Sequence, residues 1–125
     1  MYKTTYPTKE AKRGSIEKWE DGIETFESSK HLPLDLHYQL VFGWWEMIGT
    51  IPCAICGDLL QQHPEATPPM RCYHCPLYIN GSEVCHPSWD KIKHASYEGM
   101  ATFLEVFEEE SKNLLNTIKE LPTRD

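Results

Sequence analysis

Apolar residues recur at helical spacing in three stretches of the chain. The first stripe consists of Ile16, Trp19, Ile23 and Phe26, and the second of Leu36, Leu40, Val41, Trp44 and Ile48. Intervals of three and four residues place each stripe on one face of a helix. The pattern therefore predicts amphipathic helices over 15–29 and 35–49, with Ser15 and Asp35 as their N-caps.

The third stretch predicts a long helix over 88–120 that begins at Ser88. Its stripe includes Trp89, Ile92, Phe103, Leu104, Phe107, Leu114, Leu115, Ile118 and Leu121. A helix of this length is unusual in a globular protein, which allows for a kink between Ser96 and Gly99. The apolar residues from 114 to 121 have few predicted neighbours to cover them, and this suggests a homodimer.

Residues 53–87 have a different character. They contain all five cysteines, several prolines and no sustained apolar periodicity. Such a segment buries too little apolar surface to fold unaided, so it needs a stabilising cross-link. A bound metal ion is the natural candidate. A chain of 125 residues has room for one domain that includes this segment.

The predicted fold class is mainly α. It is a helical bundle of about three helices with an inserted zinc-stapled loop module of little regular structure. Its segments are a flexible N-terminal arm (1–13), a two-helix segment (14–52), the zinc module (53–87) and a long C-terminal helix that packs on the first two (88–125).

Two Cys-x-x-Cys pairs form the most specific motif in the chain. Cys53 and Cys56 are separated by fifteen residues from Cys72 and Cys75, a spacing typical of four-cysteine zinc sites. Each pair can turn two thiolates toward one point, and two pairs supply the tetrahedral shell that structural Zn²⁺ prefers. We therefore predict that these four cysteines bind a structural zinc ion.

Other metal-binding side chains surround the two pairs. Cys85, His86, His63 and His74 are reserve ligands that can replace a member of the primary set. The other interpretation is a group of buried or redox-active thiols without a metal. A thioredoxin-like use has less support, because no βαβ pattern surrounds either pair.

The chain is acidic, with 19 acidic and 12 basic side chains and a net charge of -7. This charge argues against a surface that binds nucleic acid phosphates. An acidic stripe on the third predicted helix consists of Glu105, Glu108, Glu109 and Glu110, and we take these residues as candidate contacts for a protein partner. Basic residues gather in the arm and at Lys91 and Lys93, so a nucleic-acid-binding zinc regulator is the first alternative.

Catalytic motifs are weak or missing. His63 and Glu65, followed by the second cysteine pair, form part of the signature of zinc deaminases, but the spacing leaves no room for the intervening strand and helix. The chain has no H-E-x-x-H zinc motif, no P-loop and no dinucleotide-binding G-x-G-x-x-G motif. We predict a protein that is not an enzyme, with a small zinc or thiol enzyme as the second alternative.

The sequence shows no signal peptide and no membrane-spanning segment. The N-terminal segment lacks the apolar core of a signal peptide, and no run approaches the roughly 18 consecutive apolar residues of a membrane span. The odd number of cysteines, 5, argues against a disulfide framework. The sequence therefore predicts a cytoplasmic protein that does not associate with a membrane.

The order of residues from 53 to 89 resembles a cysteine-rich module of small phage-encoded proteins. The shared features are Cys-Ala-Ile-Cys at 53–56, Cys-x-x-Cys-Pro-Leu at 72–77, and Gly81 and Cys85 ahead of Trp89, whereas the gap from Gly57 to Arg71 is longer here. The resemblance implies a structural zinc module, a viral origin and no catalytic residues. It also implies a non-enzymatic inhibitor or adaptor that acts on a host or defence protein in the host cytoplasm.

Overall fold

The described part of the chain is helical throughout. The computed structural model describes residues 3–78 and 85–125, and these ranges contain no strand. The helices are α1 (Lys9–Ser29), α2 (Leu34–Trp44), α3 (Ala54–Gln62), α4 (Pro68–His74), α5 (Pro87–Ala95) and α6 (Met100–Glu120), and a π-helical turn (Trp45–Gly49) follows α2 directly. The predicted mainly helical class is confirmed.

The core forms where α1 packs against α2 and α6, with α5 packed along α6. Its fully buried members include Trp19, Val41, Ile92, Phe103, Phe107, Leu114 and Ile118. Burial of one such side chain contributes roughly 1.5–3 kcal/mol, so the apolar stripes account for the packing of these helices. The expectation that the stripes form a core is confirmed for the first and third stripes. It is wrong for most of the second, because Leu36, Leu40 and Ile48 are exposed and only Val41 and Trp44 are buried.

Two consecutive tryptophans at the end of α2 are both buried, because each packs against a different tryptophan ring. Neighbouring residues on an α-helix point about 100° apart, yet Trp44 is 6% exposed and Trp45 is 3% exposed. The backbone of both residues is ordinary α-helix, with φ and ψ of -59° and -46° at Trp44 and of -58° and -49° at Trp45. Trp44 then contacts the Trp19 ring at 5.3 Å, while Trp45 contacts the Trp89 ring at 5.3 Å.

Helix α1 begins earlier than the predicted position 15. Thr8 is its N-cap, because the Thr8 Oγ1 atom accepts a hydrogen bond from the Ala11 N–H at 3.1 Å. Residues 9–13 therefore belong to a helix and not to the predicted flexible arm. The described remainder of the arm is tied down as well, since the Thr5 N–H donates to the His74 carbonyl oxygen at 2.8 Å.

The segment from 53 to 78 contains two helices, so the prediction of little regular structure is wrong for these residues. Pro68 lies in the first turn of α4, where a proline costs no intrahelical hydrogen bond and its fixed φ angle favours the helix. Cys53 is the N-cap residue of α3. Short helices, which show little periodicity in a sequence, thus carry the cysteine pairs.

The predicted helix over 88–120 is divided into α5 and α6. Gly99 has a φ angle of 108°, which glycine adopts without strain, and α6 starts directly after it. His86 caps α5 in place of Ser88, because its Nδ1 atom accepts the Ser88 N–H at 3.0 Å. The chain therefore folds back at 96–99 into a helical hairpin instead of kinking.

The C-terminal apolar residues are covered within one chain. Leu114, Leu115 and Ile118 are 1%, 8% and 0% exposed, respectively. These side chains are buried within one chain and offer no surface to a second copy. The sequence argument for a homodimer assumed that they were uncovered, and that assumption is wrong. The homodimer itself stays a prediction.

One segment has the length and composition of a membrane span. Leu34–Gln62 comprises 29 residues with a mean hydropathy of 1.3 in its most apolar window, and 28% of that window is buried. The helical path breaks at 50–53, between the π-helical turn and α3. Core helices pass the same test of length and composition, so the absence of a membrane span stays a prediction.

A close crossing of α1 and α3 positions the cysteine-bearing helices on the bundle. A Cβ atom added to Gly14 would lie 3.0 Å from the Ala54 Cβ atom, so a glycine permits this approach. Beside it, the buried Ser15 Oγ atom accepts the Ile55 N–H at 3.2 Å. Ser15 therefore caps the start of α3 from inside α1, and not the start of α1 as predicted.

Replacing Ser15 by alanine is expected to destabilise the protein by about 1–3 kcal/mol, because it leaves the buried Ile55 N–H without an acceptor. Urea unfolding measures this change. The matched control is Ser28→Ala, at an exposed site on the same helix, where we expect a change within about 0.5 kcal/mol. Equal effects at both serines would contradict the capping role.

The free energy of unfolding is also expected to decrease as the pH is lowered, because of His37. Burial lowers the pKa of His37, although Glu108 and Glu27 oppose this effect. The unfolded chain therefore takes up a proton near pH 6.5 that the folded protein does not, and stability present above that pH is lost as the pH falls. Melting temperatures of the native protein and His37→Gln at pH 7 and pH 5 test this. A loss as large in the variant as in the native protein would contradict it.

Candidate metal centre

All five cysteines line one cavity of about 190 Å³. Cys53 and Cys56 come from the start of α3, Cys72 and Cys75 from the end of α4, and Cys85 from the residues before α5. The cavity is closed on its apolar side by Trp19, Leu59, Leu77 and Leu114. Three separate parts of the chain thus meet at a site rich in sulfur.

The ends of two short helices arrange the pairs. Cys53 and Cys56 lie three residues apart, a spacing that places them on one side of α3. Cys72 occupies the last turn of α4, and the Cys75 N–H donates to the Cys72 carbonyl oxygen at 3.0 Å. The chain then turns again, with the Tyr78 N–H donating to the Cys75 carbonyl oxygen at 3.1 Å.

Burial holds several of the thiols in the protonated form when no metal is bound. It raises the pKa of Cys75 to about 12, while hydrogen bonds from the Leu77 and Tyr78 backbone oppose the shift. Burial also raises the pKa of Cys56 and of Cys85. Thiol protons must leave when a metal binds, so metal affinity at this cavity has to increase with pH.

No three ligands are drawn together in the arrangement of a formed metal centre. This holds for every His, Cys, Asp and Glu side chain in residues 3–78 and 85–125. The thiols share a cavity, but a bound ion would require them to close toward its centre. All five are free of disulfide bonds and only partly exposed, so the cavity leaves them available for such a movement.

The reserve histidines are placed elsewhere. The rings of His63 and His74 stack at 3.7 Å, and they bind the N-terminal residues through Thr5 Oγ1 at 2.9 Å and the Lys3 carbonyl oxygen at 2.8 Å. His86 caps α5 with its Nδ1 atom. None of the three lines the cysteine cavity, whereas the reserve ligand Cys85 does.

Two cations at the cavity were missing from the sequence prediction. Lys18 of α1 and Arg71 of α4 line it together with the cysteines. Arg71 is adjacent to Cys72, a neighbourhood visible in the sequence. Lys18 gave no comparable signal, because its place depends on how α1 crosses α3.

The predicted acidic stripe consists of three exposed residues and one buried one. Glu105, Glu108 and Glu109 are exposed on α6. Glu110 is 7% exposed and its Oε1 atom accepts a hydrogen bond from Ser88 Oγ at 2.9 Å. Glu110 lies three residues beyond Phe107 on the buried face of the helix, so its assignment as a partner contact is wrong.

Comparison with known proteins gives no further guide to this site. No protein family matches the chain, and no curated protein or solved structure is similar to it. The resemblance of residues 53–89 to the phage module therefore stays a prediction. One of its features, Gly81, lies outside the described residues.

Proposed function

We propose that the protein binds one structural zinc ion at the cysteine cavity. The observation that carries this proposal is the meeting of all five cysteines around one space of about 190 Å³. Thiolate sulfur is the preferred ligand of structural zinc, and four such ligands form a closed tetrahedral shell. Zinc at this place would tie the start of α3 to the end of α4.

Cys53, Cys56, Cys72 and Cys75 are the proposed ligands, with Cys85 in reserve. The first four come as two pairs whose members share a short helical end, and paired ligands lose less freedom on binding than scattered ones. Cys85 is the fifth thiol at the same cavity, so it can take the place of one member.

Zinc content tests the metal proposal. Protein purified without added metal and analysed by elemental mass spectrometry is expected to contain one zinc ion per chain. The Cys53→Ser/Cys56→Ser variant is expected to contain almost none, while Cys85→Ser retains it. Retention of zinc by the double variant, or a native protein free of zinc after refolding with the metal, would contradict the proposal.

We further propose that the zinc-containing protein is a non-enzymatic protein-binding module, an inhibitor or adaptor that acts on a host or defence protein. The negative charge of the protein surface supports this proposal. Glu105, Glu108 and Glu109 expose three negative charges on one helix, in a chain of net charge -7. Such a surface attracts a partner with a basic face, accelerates its association and repels nucleic acid.

Affinity capture from a host lysate, with nuclease present, tests this second proposal. The native protein is expected to retain a basic protein that the triple variant Glu105→Gln/Glu108→Gln/Glu109→Gln loses. The matched control changes the same number of charges on α1, at the exposed Glu17, Glu20 and Glu24, and is expected to retain the partner. Equal capture of the partner by both triple variants would contradict the proposal. So would a parallel capture without nuclease that recovers nucleic acid and no protein partner.

A further inference from the structure

A lysine from outside the cysteine segment reaches the cavity. The Lys18 Nζ atom donates to the Ile51 carbonyl oxygen at 2.5 Å and to the Gly49 carbonyl oxygen at 3.4 Å. These carbonyl groups lie just before Cys53 in the chain. The ammonium group is therefore held on the side of the cavity where the first cysteine pair begins.

No carboxylate among residues 3–78 and 85–125 neutralises Lys18. The lysine forms no ion pair with an aspartate or glutamate of the described residues, and its ammonium group lies 5.5 Å from the centre of the Trp19 ring. Desolvation by burial lowers the pKa of Lys18, and the electrostatic effect of Cys53, Cys85 and Cys56 opposes this shift. The cysteines that line the cavity beside Lys18 become anions when they lose their protons.

Arg71 approaches the same cavity from α4. Its Nη1 atom donates to the Ala66 carbonyl oxygen at 2.9 Å, while its buried Nε atom has no hydrogen-bond partner among the described residues. Burial raises the pKa of Cys56, which lines the same cavity, and the positive charge of Arg71 opposes this shift. A buried donor without a partner is unfavourable, and a thiolate in this cavity would satisfy it.

We infer that Lys18 and Arg71 supply the counter-charge for a dianionic metal–tetrathiolate centre in this cavity. The inference rests on the proposed zinc function. A zinc ion with four thiolates carries two negative charges, and these two cations carry two positive ones. Neutralising a partly buried centre removes most of the cost of placing its charge away from water. Lys18 and Arg71 are thus positioning residues that act through the thiolates.

The zinc dissociation constant, measured by competition with a chromogenic chelator, tests the inference. Lys18→Met and Arg71→Met are each expected to bind zinc about 10–100-fold more weakly, as is usual for residues that support metal ligands. Lys18→Arg keeps the charge and is expected to restore most of the affinity. The matched control is Lys119→Met, at an exposed position on α6, with an unchanged dissociation constant.

A second measurement separates electrostatics from a merely structural role. The ultraviolet absorbance of thiolates, followed against pH in the metal-free protein, is expected to appear at higher pH in Lys18→Met and in Arg71→Met than in the native protein. A structural defect that opens the cavity would shift this titration to lower pH instead, because it relieves the burial that raises the thiol pKa values. If Lys18→Met does not fold, Arg71→Met and Lys18→Arg still report on the same charge.

The outcomes distinguish the two proposals. A native protein that binds no zinc overturns the proposed function, and this inference with it. A native protein that binds zinc, together with methionine variants that bind it equally well, overturns only the counter-charge role of Lys18 and Arg71. Weaker binding in both methionine variants and rescue by Lys18→Arg support it.

Discussion

The Cys53→Ser/Cys56→Ser variant is expected to lose the helices α3 and α4 while the rest of the bundle stays helical. Among the described residues from 53 to 78, the buried apolar side chains are Ile55, Leu59 and Leu77, which is too little to order two short helices. The binding free energy of a structural zinc ion, roughly 10 kcal/mol or more, adds directly to the stability of the segment that it ties together. Its loss leaves that segment unfolded.

Circular dichroism and proteolysis measure this loss. We expect the double variant and the chelator-treated native protein to show the same decrease in helix content and the same new cleavage sites between α2 and α5. Cys85→Ser serves as the control, since a reserve ligand is expected to change both signals little. A native protein of equal stability with and without chelator would show that the thiols need no metal.

Replacing Phe103 by alanine is expected to lower the free energy of unfolding by about 3–5 kcal/mol. The side chain is 0% exposed, and its ring meets Tyr38 at 5.8 Å and Phe42 at 5.4 Å, both nearly edge-on. Truncation removes these contacts and leaves a cavity between α2 and α6. The neighbouring side chains cannot fill this cavity, because a close-packed core relaxes only partially. Trp19→Ala, in α1, is expected to fall in the same range.

Urea unfolding gives the free energies for this comparison. Leu40→Ala is the matched control, because Leu40 is an apolar residue of α2 that is 51% exposed. Its truncation is expected to cost less than about 0.5 kcal/mol. If Phe103→Ala and Leu40→Ala differ by less than the error of the measurement, the assignment of Phe103 to the core is wrong.

Periodicity predicted the helical course of α1, α2 and α6, although not the start of α1 or the break between α5 and α6. Where an apolar stripe extends over about three turns, as from Ile16 to Phe26, the buried face of the helix follows from spacing alone. The same rule failed at Glu110, which occupies a position on the buried face of α6. The Glu110 carboxylate accepts a hydrogen bond from Ser88 of α5. The spacing of residues within α6 cannot predict a hydrogen-bond partner on another helix.

The helices α3 and α4 were missed for a different reason. They span only 9 and 7 residues, so each offers too few turns for a stripe to repeat. The spacing of the cysteines nevertheless pointed to a common site, because a Cys-x-x-Cys pair is a local geometric device that depends little on its surroundings. Lys18 could not be found in this way, since its place depends on the crossing of α1 and α3 at Gly14.

The packing of α1 against α6 has a consequence for synthesis on the ribosome. These helices lie far apart in the sequence but share one core, and chains emerge from the N-terminal end. We expect the cysteines to leave the exit tunnel before α6 can complete that core, so the nascent chain presents unprotected thiols to its surroundings. A chain arrested before Met100 is therefore expected to be labelled by thiol reagents and cut by protease, and the full chain to gain protection only after release.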